Sequence, residues 1–591
     1  MLGLKRTHYC GETNGIGNEL VVGGFVKRIR DKGGIIFIDL RDRTGVIQLV
    51  ADETTSKDAF DAAKTVRSEY VLMAKGVLRE RESVNKDIKT GGVEILVSEL
   101  RILSKAQTPP FEITDDTKVG EELRLRYRYL DLRRKQLQDN LIIRHKTVLA
   151  AREYFYKNGF IEIETPTFIK STPEGARDYL VPSRLHAGKF YALPQSPQIY
   201  KQLLMISGFD RYIQFARCYR DEDLRADRQP EFTQIDLEMS FVDVSDILEM
   251  LEGFAAHVTR EIKGIEVELP LLRLTFDEAM ALYGTDKPDT RYDMKIVDIS
   301  ETVKDSGFGA FADAVKSGGS VRGIVAKGAG GVVSAAQTLT RKELDKLTEF
   351  ARGIGAQGLA YIRFNEEAPV CSFSKFISDG ELTEIINALN CEKGDVALIA
   401  AGKNKTVLPV LGALRKNVAE KLGIISDGFN YVWITDMPFF EQNEETGRWD
   451  AMHHPFTCPT DETLQYVETA PEKVYAKAYD LVLNGVELLS GSIRITDYEL
   501  QERMFEALGL TREEIAAKFG FLVEAYRYAS PPHGGAGIGL DRLVMVLCGA
   551  ESLRDVTAFP KAKDASELMS ECPARVDKKQ LDELLLKIDL P

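Results

Sequence analysis

A loop between two predicted strands carries the arginines and the aromatic residue best suited to bind a nucleotide. It connects a strand over 212–219 to a strand that begins at Phe232, and its first residue is Arg220. A guanidinium group at a strand end can hold a phosphate through two parallel hydrogen bonds. The ring of Phe232 could cover a purine base. A solvated charged hairpin is the alternative interpretation, because acidic residues surround the arginines of this loop.

A glycine-rich segment near the C-terminus offers a second phosphate-binding arginine. Segment 531–542 ends in Arg542 and opens a predicted helix that continues to Leu547. The charge of Arg542 on the first turn adds to the positive end of the helix, and the glycines would let the backbone approach a ligand closely. The sequence contains no Gly-x-x-x-x-Gly-Lys-Ser/Thr loop. Phosphate groups must therefore be bound by other means.

Paired carboxylates and paired histidines complete the set of candidate ligand-binding side chains. Asp480, Glu487 and Arg494 lie on two apolar strands around a turn at Asn484-Gly485. Their positions are both even and odd, so they share one face only if a β-bulge shifts the register. Carboxylates that reach a triphosphate would bring Mg²⁺. His453 and His454 lie together in a polar loop and are candidates for ligand contact.

The elements that would position these residues indicate an α+β multidomain protein. At 591 residues the chain is too long for one core, and three or four domains are expected. Residues 20–105 are predicted to form five strands with a helix over 56–68 between the third and fourth, which favours an OB-fold β-barrel. Phe37 and Gln48 lie among its arginines, a pattern that suits single-stranded bases. Placement of Phe37 in the core is the alternative.

Composition shifts divide the rest of the chain. The predicted domains are an OB-fold domain (1–105), a hinge or linker (106–140), the first part of a main domain (141–282), an inserted α+β domain (283–423), the second part of the main domain (424–560) and a C-terminal extension (561–591). The arginine-dense segment 123–135 is either a solvated helix face or a contact for a phosphate backbone. A Gly-x-Gly-x-x-Gly match at 353–358 follows a predicted helix and opens a strand, which is the wrong context for dinucleotide binding.

Charge, cysteine usage and hydropathy indicate the cellular environment and the partners that the protein could have. The net charge is −14, although the first 105 residues are slightly basic, so a polyanion would dock at that end. The seven cysteines are scattered and never spaced Cys-x-x-Cys, which favours reduced thiols in a cytoplasmic protein. No apolar run approaches the ~18 residues of a membrane helix, and the N-terminus lacks the apolar core of a signal peptide. No membrane partner is expected.

Several motifs in order resemble those of the class II aminoacyl-tRNA synthetases. Arg220-Asp-Glu resembles motif 2, Gly537-Ile-Gly-Leu-Asp-Arg542 resembles motif 3, and the helix, strand and proline over 141–166 resemble motif 1. Segments 172–178, 195–198, 220–234 and 451–456 are similar to the bacterial-type aspartyl-tRNA synthetases. The resemblance covers essentially the whole chain and implies a class II antiparallel-sheet catalytic domain. Segment 486–490 is less glycine-rich than this strand often is in the family.

The resemblance also implies roles for individual residues. The implied catalytic residues are Arg220, Glu487 and Arg542. The implied ATP-binding residues are Arg220, Asp221, Glu222, Gln229, Phe232, Glu487, Gly539, Leu540, Asp541 and Arg542. Those implied for aspartate binding are Glu174, Ser196, Gln198, Lys201, Arg220, Asp236, His453, His454 and Arg494. Asp480 and Glu487 would hold Mg²⁺, and Arg30, Phe37 and Gln48 would meet the anticodon.

The implied activity is ATP-dependent formation of aspartyl-adenylate from L-aspartate and transfer of aspartate to the 3′ end of tRNA(Asp), in a homodimer. Whether tRNA(Asn) is also charged stays open, because that choice depends on contacts near Arg30, Lys32 and 81–85. The cations Lys201 and Arg494 suit a negative side chain, since asparagine would leave a buried charge unpaired. The alternatives are an asparaginyl- or lysyl-tRNA synthetase, an inactive tRNA-binding paralogue, and a general single-stranded nucleic-acid binder.

Overall fold

The computed structural model describes residues 4–172, 176–330, 338–364, 368–443 and 447–589. The chain forms two compact units. One runs to Ile142 and includes Ala558–Ala562 and Ser566–Ala574; the other comprises Ile143–Thr557, Lys563–Ala565 and the residues from Arg575 onward. Within the described ranges, no helix combines the length and apolarity needed to cross a membrane.

A closed five-stranded barrel dominates the first unit and confirms the predicted OB-fold. Its strands, in the spatial order β1-β2-β3-β5-β4, are β1 (Glu19–Asp31), β2 (Ile35–Asp42), β3 (Gly45–Asp52), β4 (Val71–Glu80) and β5 (Val93–Ser104). Along β2, Ile36, Ile38 and Leu40 alternate into the core. Helix α1 (Lys57–Lys64) follows β3 as predicted, but ends earlier than residue 68.

The arginine-dense segment is folded rather than extended. It forms α2 (Glu121–Arg126) and α3 (Arg128–Asp131), and α4 (Lys135–Lys157) begins six residues before the predicted start at 141. Arg128 and Arg134 are buried and bind the fully buried Asp131 at 2.8 and 3.1 Å. Both sequence interpretations are wrong for these two arginines, because they neither face solvent nor remain accessible to a phosphate backbone.

In the second unit, a mostly antiparallel sheet forms the framework, as the class II resemblance implies. Among the described residues its strand order is β11-β17-β20-β21-β22-β10-β9-β6, with parallel pairing at the two edges. The strands are β6 (Ile161–Glu162), β9 (Arg211–Tyr219), β10 (Glu231–Ser240), β11 (Leu272–Thr275), β17 (Tyr431–Pro438), β20 (Tyr475–Leu483), β21 (Val486–Ile493) and β22 (His533–Gly539). The sequence predicts residues 533–539 only as a glycine-rich entry to a helix, and this prediction is wrong because they form strand β22.

Helices and short hairpins surround this sheet. The helices are α5 (Gln198–Ile206), α6 (Val244–Lys263), α7 (Phe276–Tyr283), α13 (Tyr498–Ala507), α14 (Arg512–Tyr526), α15 (Leu540–Cys548) and α16 (Lys578–Glu583). The hairpins are β7 (Leu180–Pro182) with β8 (Phe190–Ala192), and β18 (Phe440–Gln442) with β19 (Trp449–Ala451). Apolar residues of α6 and α15 pack with those of the central strands into the largest core.

A second sheet lies within the segment predicted to be an insertion. Its strands, in the order β12-β13-β16-β14-β15, are β12 (Val297–Asp298), β13 (Ser320–Ala326), β14 (Ala360–Phe364), β15 (Pro369–Cys371) and β16 (Val396–Gly402). The helices are α8 (Ser300–Val303), α9 (Gly309–Lys316), α10 (Arg341–Gly353), α11 (Asp379–Ala388) and α12 (Asn404–Leu422). Because α10 precedes β14, the glycines at 353–358 join a helix to a strand, which confirms that they are no dinucleotide fingerprint. The domain boundaries themselves stay predictions.

Candidate active site

A cavity of about 860 Å³ brings most of the predicted site residues together. Strand β10 supplies Phe232, Gln234 and Asp236 to its wall at every second position, which is the alternation expected of one strand face. Helix α5 packs against β10 and contributes Gln198 and Lys201. The predicted bounds of α5, 198–206, are those observed.

The β-bulge that the sequence required is present between β20 and β21. Asp480 lies opposite Ser490, whereas Val482 lies opposite Glu487, so Leu488 is the extra residue. Glu487 shares the face of Asp480 through its pairing with Val482, and the shift at Leu488 brings Ser490 and the even-numbered positions after it to the same face. Asp480, Glu487 and Arg494 accordingly all line the cavity.

One end of the cavity is a buried cluster of two cations and two anions. Lys201 Nζ lies 2.8 Å from Asp236 Oδ1 and 3.3 Å from Glu238 Oε2. Arg494 donates from Nε to Glu238 Oε1 at 2.9 Å. These four residues are between 0% and 3% exposed. In the part of the chain that the structure describes, Asp236 Oδ2 and Gln198 Nε2 are buried without a hydrogen-bond partner, as expected of atoms that bind a ligand.

The two histidines are held neutral beside this cluster. Burial lowers the pKa of His454 well below its usual value, and the charge of Arg494 lowers it further. Arg494 Nη1 contacts His454 Nε2 and donates to Ser492 Oγ at 2.6 Å. Burial also lowers the pKa of His453, whose Nδ1 lies 3.3 Å from Ser490 Oγ. Neutral rings leave the positive charge of this end on Lys201 and Arg494.

Asp236 provides a prediction for the pH dependence of amino-acid binding. Burial raises its pKa to about 6, against the opposing charge of Lys201. Below pH 6 the protonated form predominates, and it could not pair with the substrate ammonium that the family resemblance implies for this residue. We therefore expect aspartate affinity to rise about fivefold from pH 5 to 6 and about twofold more from pH 6 to 7, and to level off above pH 7. Isothermal titration calorimetry from pH 5 to 8 in buffers of different ionisation enthalpy should detect the proton released on binding. An affinity independent of pH between 5 and 7 would contradict this assignment.

The opposite end of the cavity contains the predicted nucleotide-binding residues. Arg220 follows β9, and its guanidinium carbon lies 5.1 Å from the ring centroid of Phe232. Its Nε is buried and has no hydrogen-bond partner among the described residues. Arg542, on the first turn of α15, lies 3.5 Å from Glu487 Oε1 and 3.4 Å from Asp227 Oδ2. The cavity thus contains the buried cations Lys201 and Arg494 and a second cationic region beside an aromatic ring.

The remaining described residues of the predicted ATP and aspartate sites lie either at the cavity wall or behind it. Ser196, Glu222, Gln229 and Gly539 line the cavity. Arg144 Nη1 binds Asp541 Oδ1 at 2.6 Å, and the Thr233 amide donates to Asp541 Oδ2 at 2.7 Å, so this carboxylate joins α15 to its neighbours. Leu540 is buried in the apolar core. Asp221 lies 3.5 Å from Arg177, and Glu174 lies outside the described residues.

Asp480 and Glu487 have the chemistry expected of a divalent-cation site. Burial, together with the charge of Glu487, raises the pKa of Asp480 well above its usual value. Its Oδ1 is buried and, within the described ranges, lacks a hydrogen-bond partner. A cation between the two carboxylates would remove both penalties. The described residues contain no group of three or more His, Cys, Asp or Glu placed to hold a metal, so these two carboxylates would be a partial ligand set.

Sequence analysis missed two charged residues that form ion pairs with predicted site residues, Glu238 and Lys287. Glu238 bridges Lys201 and Arg494, and the alternation of Gln234, Asp236 and Glu238 along a predicted strand was a signal that could have revealed it. Lys287, from the loop after α7, reaches Glu487 at 3.3 Å. It is some 200 residues from Glu487 in the sequence, and no local pattern marks it.

In the barrel, the three predicted anticodon-binding residues lie together. Phe37 is half-buried and lies outside the barrel core, so the alternative core placement is wrong. The guanidinium carbon of Arg30 lies 5.8 Å from the ring centroid of Phe37. Arg30 donates to Gln48 Oε1 at 2.8 Å, and Gln48 Nε2 donates to Glu94 at 2.6 Å. Gln48 is therefore buried in a polar network rather than exposed.

Comparison with known proteins identifies the class. Residues 120–563 match the family of tRNA synthetases class II (D, K and N), and residues 20–103 match the OB-fold nucleic acid binding domain. The fold and the site therefore define a class II tRNA synthetase. The chain is similar to an asparaginyl-tRNA synthetase from Pyrococcus horikoshii complexed with asparaginyl-adenylate, with a TM-score of 0.58, 18% identity, and coverage of 97% of this chain and 99% of that one. At this identity the likeness supports the fold alone.

Similarity to curated relatives identifies the family within this class. The chain is 54% identical to an aspartate–tRNA(Asp/Asn) ligase of Caldanaerobacter subterraneus subsp. tengcongensis, over 100% of this chain and 99% of that protein. It is 53% identical to an aspartate–tRNA ligase of Ruminiclostridium cellulolyticum, over 99% and 98% respectively. Within its class, the chain belongs to the aspartate–tRNA ligase family.

Proposed function

We propose that the chain activates L-aspartate with ATP and transfers the aspartyl group to the 3′ end of tRNA(Asp) and of tRNA(Asn). The observation that carries the proposal is the single cavity with Lys201 and Arg494 at one end and Arg220 and Arg542 at the other. Family membership supports the reaction. The name of one relative, which includes both tRNAs, supports the wider tRNA specificity.

Amino-acid selection follows from the buried charges. Asp236 would accept the substrate ammonium, while Lys201 and Arg494 would receive the side-chain carboxylate, with His453 and His454 beside them. Without substrate, Asp236 and Glu238 balance the two cations. Aspartate adds one ammonium and one side-chain carboxylate and keeps this balance. Asparagine or lysine would leave a buried charge unpaired, at a cost of several kcal/mol.

Activation is a displacement at the α-phosphorus of ATP. An oxygen of the aspartate α-carboxylate attacks, the bond from phosphorus to the bridging oxygen breaks, and pyrophosphate leaves with that electron pair. Arg220 would stabilise charge on the α-phosphate, Arg542 would bind the γ-phosphate, and Phe232 would stack on adenine. Such chemistry needs positioning and charge neutralisation rather than a covalent enzyme intermediate. Mg²⁺ held by Asp480 and Glu487 would supply further neutralisation.

Transfer requires the acceptor end of tRNA at the same cavity. A terminal ribose hydroxyl attacks the adenylate carbonyl, AMP leaves, and the hydroxyl proton is lost to phosphate or solvent. Arg30, Phe37 and Gln48 would bind the anticodon by stacking and hydrogen bonding. The position of Phe37 outside the barrel core and beside Arg30 supports this role, whereas Gln48 would have to exchange its present partners for a base.

A homodimer and a cytoplasmic location belong to the same proposal. Leu149 and Tyr156 on α4 and Ile161 on the edge strand β6 are 52%, 81% and 51% exposed, which supports an interface at the segment that resembles motif 1. All seven cysteines lie within the described residues and none of them forms a disulfide bond, which supports a reducing compartment.

The first test is ATP–pyrophosphate exchange with aspartate, asparagine and lysine in parallel. We expect exchange with aspartate alone and at least a 100-fold loss in Arg220→Ala, because Arg220 contacts charge that develops in the transition state. Charging of purified tRNA(Asp) and tRNA(Asn) then decides the tRNA range. Exchange with asparagine or lysine would overturn the pocket assignment, and no exchange with any of them would remove the enzyme function. Charging of tRNA(Asp) alone would overturn the proposed charging of tRNA(Asn) and leave tRNA(Asp) as the tRNA substrate.

A further inference from the structure

The loop over 284–291, between α7 and β12, brings a lysine into the nucleotide end of the cavity. Lys287 Nζ lies 3.3 Å from Glu487 Oε2 and 3.0 Å from Asp286 Oδ2. Its side chain is 40% exposed, and the residue lines the same cavity as Arg220 and Arg542.

Glu487 links this lysine to a predicted phosphate-binding arginine. Arg542 Nη1 lies 3.5 Å from Glu487 Oε1, while Lys287 approaches Oε2 of the same carboxylate. The two cations therefore flank one carboxylate group. A triphosphate that reaches Arg542 would come within range of the Lys287 ammonium, which can bind phosphate oxygens as a compact charge.

The loop is fixed on both sides, so Lys287 is not a freely moving surface lysine. On one side, a Cβ at Gly284 would lie only 2.1 Å from the carbonyl oxygen of Leu408 on α12. On the other side, Asp289 packs against Gly485, where an added Cβ would lie 3.2 Å from Asp289 Cβ. Gly485 belongs to the turn that leads directly into β21 and Glu487. Helix α12 and the β20–β21 turn thus hold Lys287 beside Glu487.

We propose that Lys287 is a third cation of the triphosphate site, which binds the β- and γ-phosphoryl oxygens of ATP and those of the pyrophosphate product. The assignment rests on the proposed function for the identity of the nucleotide. In this assignment the inserted segment helps to position Lys287, because its helix α12 packs against the loop that carries this residue. An ordinary surface ion pair would contribute little to stability and nothing to ATP binding.

The test compares Lys287→Met and Lys287→Arg with the wild-type protein. Lys304→Met is the matched control, because Lys304 forms a 2.9 Å pair with Glu301 and is 53% exposed, away from the cavity. ATP affinity is measured by calorimetry without aspartate, and KM for ATP and for aspartate by pyrophosphate exchange. In Lys287→Met we expect both ATP constants to weaken about 10- to 100-fold with KM for aspartate within twofold. Lys287→Arg should recover most of the loss.

Two outcomes would overturn the assignment. ATP affinity within twofold of wild type in Lys287→Met would mean that the ammonium does not contact the nucleotide. An equal loss for ATP and aspartate, with a lowered melting temperature, would mean that Lys287 only maintains the fold. Failure of the proposed function is distinguishable, since it would abolish exchange in the wild-type protein, whereas calorimetry still compares ATP binding between the variants.

Discussion

Arg494→Met is expected to lower aspartate-dependent pyrophosphate exchange by about 10³-fold. The substitution removes one of the two cations proposed to receive the substrate carboxylate. It also leaves Glu238, which Arg494 binds through Nε and Nη2 at 2.9 and 3.2 Å, with Lys201 as its remaining cation. A buried charge without its partner typically costs about 3–5 kcal/mol. Exchange at saturating ATP measures the effect.

Two comparisons isolate the cause of that loss. ATP binding without aspartate should change little in Arg494→Met, because Arg220 and Arg542 lie at the other end of the cavity. Arg503→Met is the matched surface control, since Arg503 forms a 2.7 Å pair with Glu468 in which both side chains are about half exposed. We expect it to retain full activity. If Arg494→Met kept aspartate exchange within threefold of wild type, the carboxylate pocket would have to lie elsewhere.

The sequence predicts the parts of this site that depend on local pattern. Helix α5 has the predicted bounds because Pro197 precedes it and Ser207-Gly208 follows it. Asp480 and Arg494 occupy even-numbered positions and Glu487 an odd-numbered one, so a shared face implied a β-bulge. The strands have this bulge at Leu488. A bulge can be inferred when side chains of one function must share a face, because strand alternation allows no other solution.

Other parts depend on contacts that no local pattern reveals. Strand β22 contains Gly534, Gly535, Gly537 and Gly539, a composition that disfavours strands, and its pairing with β10 and β21 decides its conformation. Arginine side chains usually face solvent, so the sequence gives no sign that Arg128 and Arg134 are buried. Both bind Asp131, which is itself fully buried. Lys287 reaches Glu487 only through the packing of α12 and the β20–β21 turn. In each case, long-range contacts override the local preference.

Gly535→Ala should destabilise the protein and abolish exchange, because β22 passes too close to β10 for any side chain at this position. A Cβ there would lie 2.1 Å from Glu238 Oε2 and 2.1 Å from the carbonyl oxygen of Leu237. The carboxylate could rotate only by leaving Lys201 and Arg494, and the carbonyl belongs to the pairing of β10 with β22. Overpacking of this kind costs about 1–3 kcal/mol and more where backbone must move.

Gly520→Ala provides the matched control for that substitution. Gly520 lies within α14, and an added Cβ would meet no atom within 4 Å. Alanine in a helix interior is favoured over glycine by about 0.5–1 kcal/mol, so this variant should melt at the same or a higher temperature and keep full exchange activity. Thermal unfolding and pyrophosphate exchange on both variants provide the comparison. Wild-type activity in Gly535→Ala would show that Glu238 can leave its two cations without consequence, and the buried charge balance would then not be what selects aspartate.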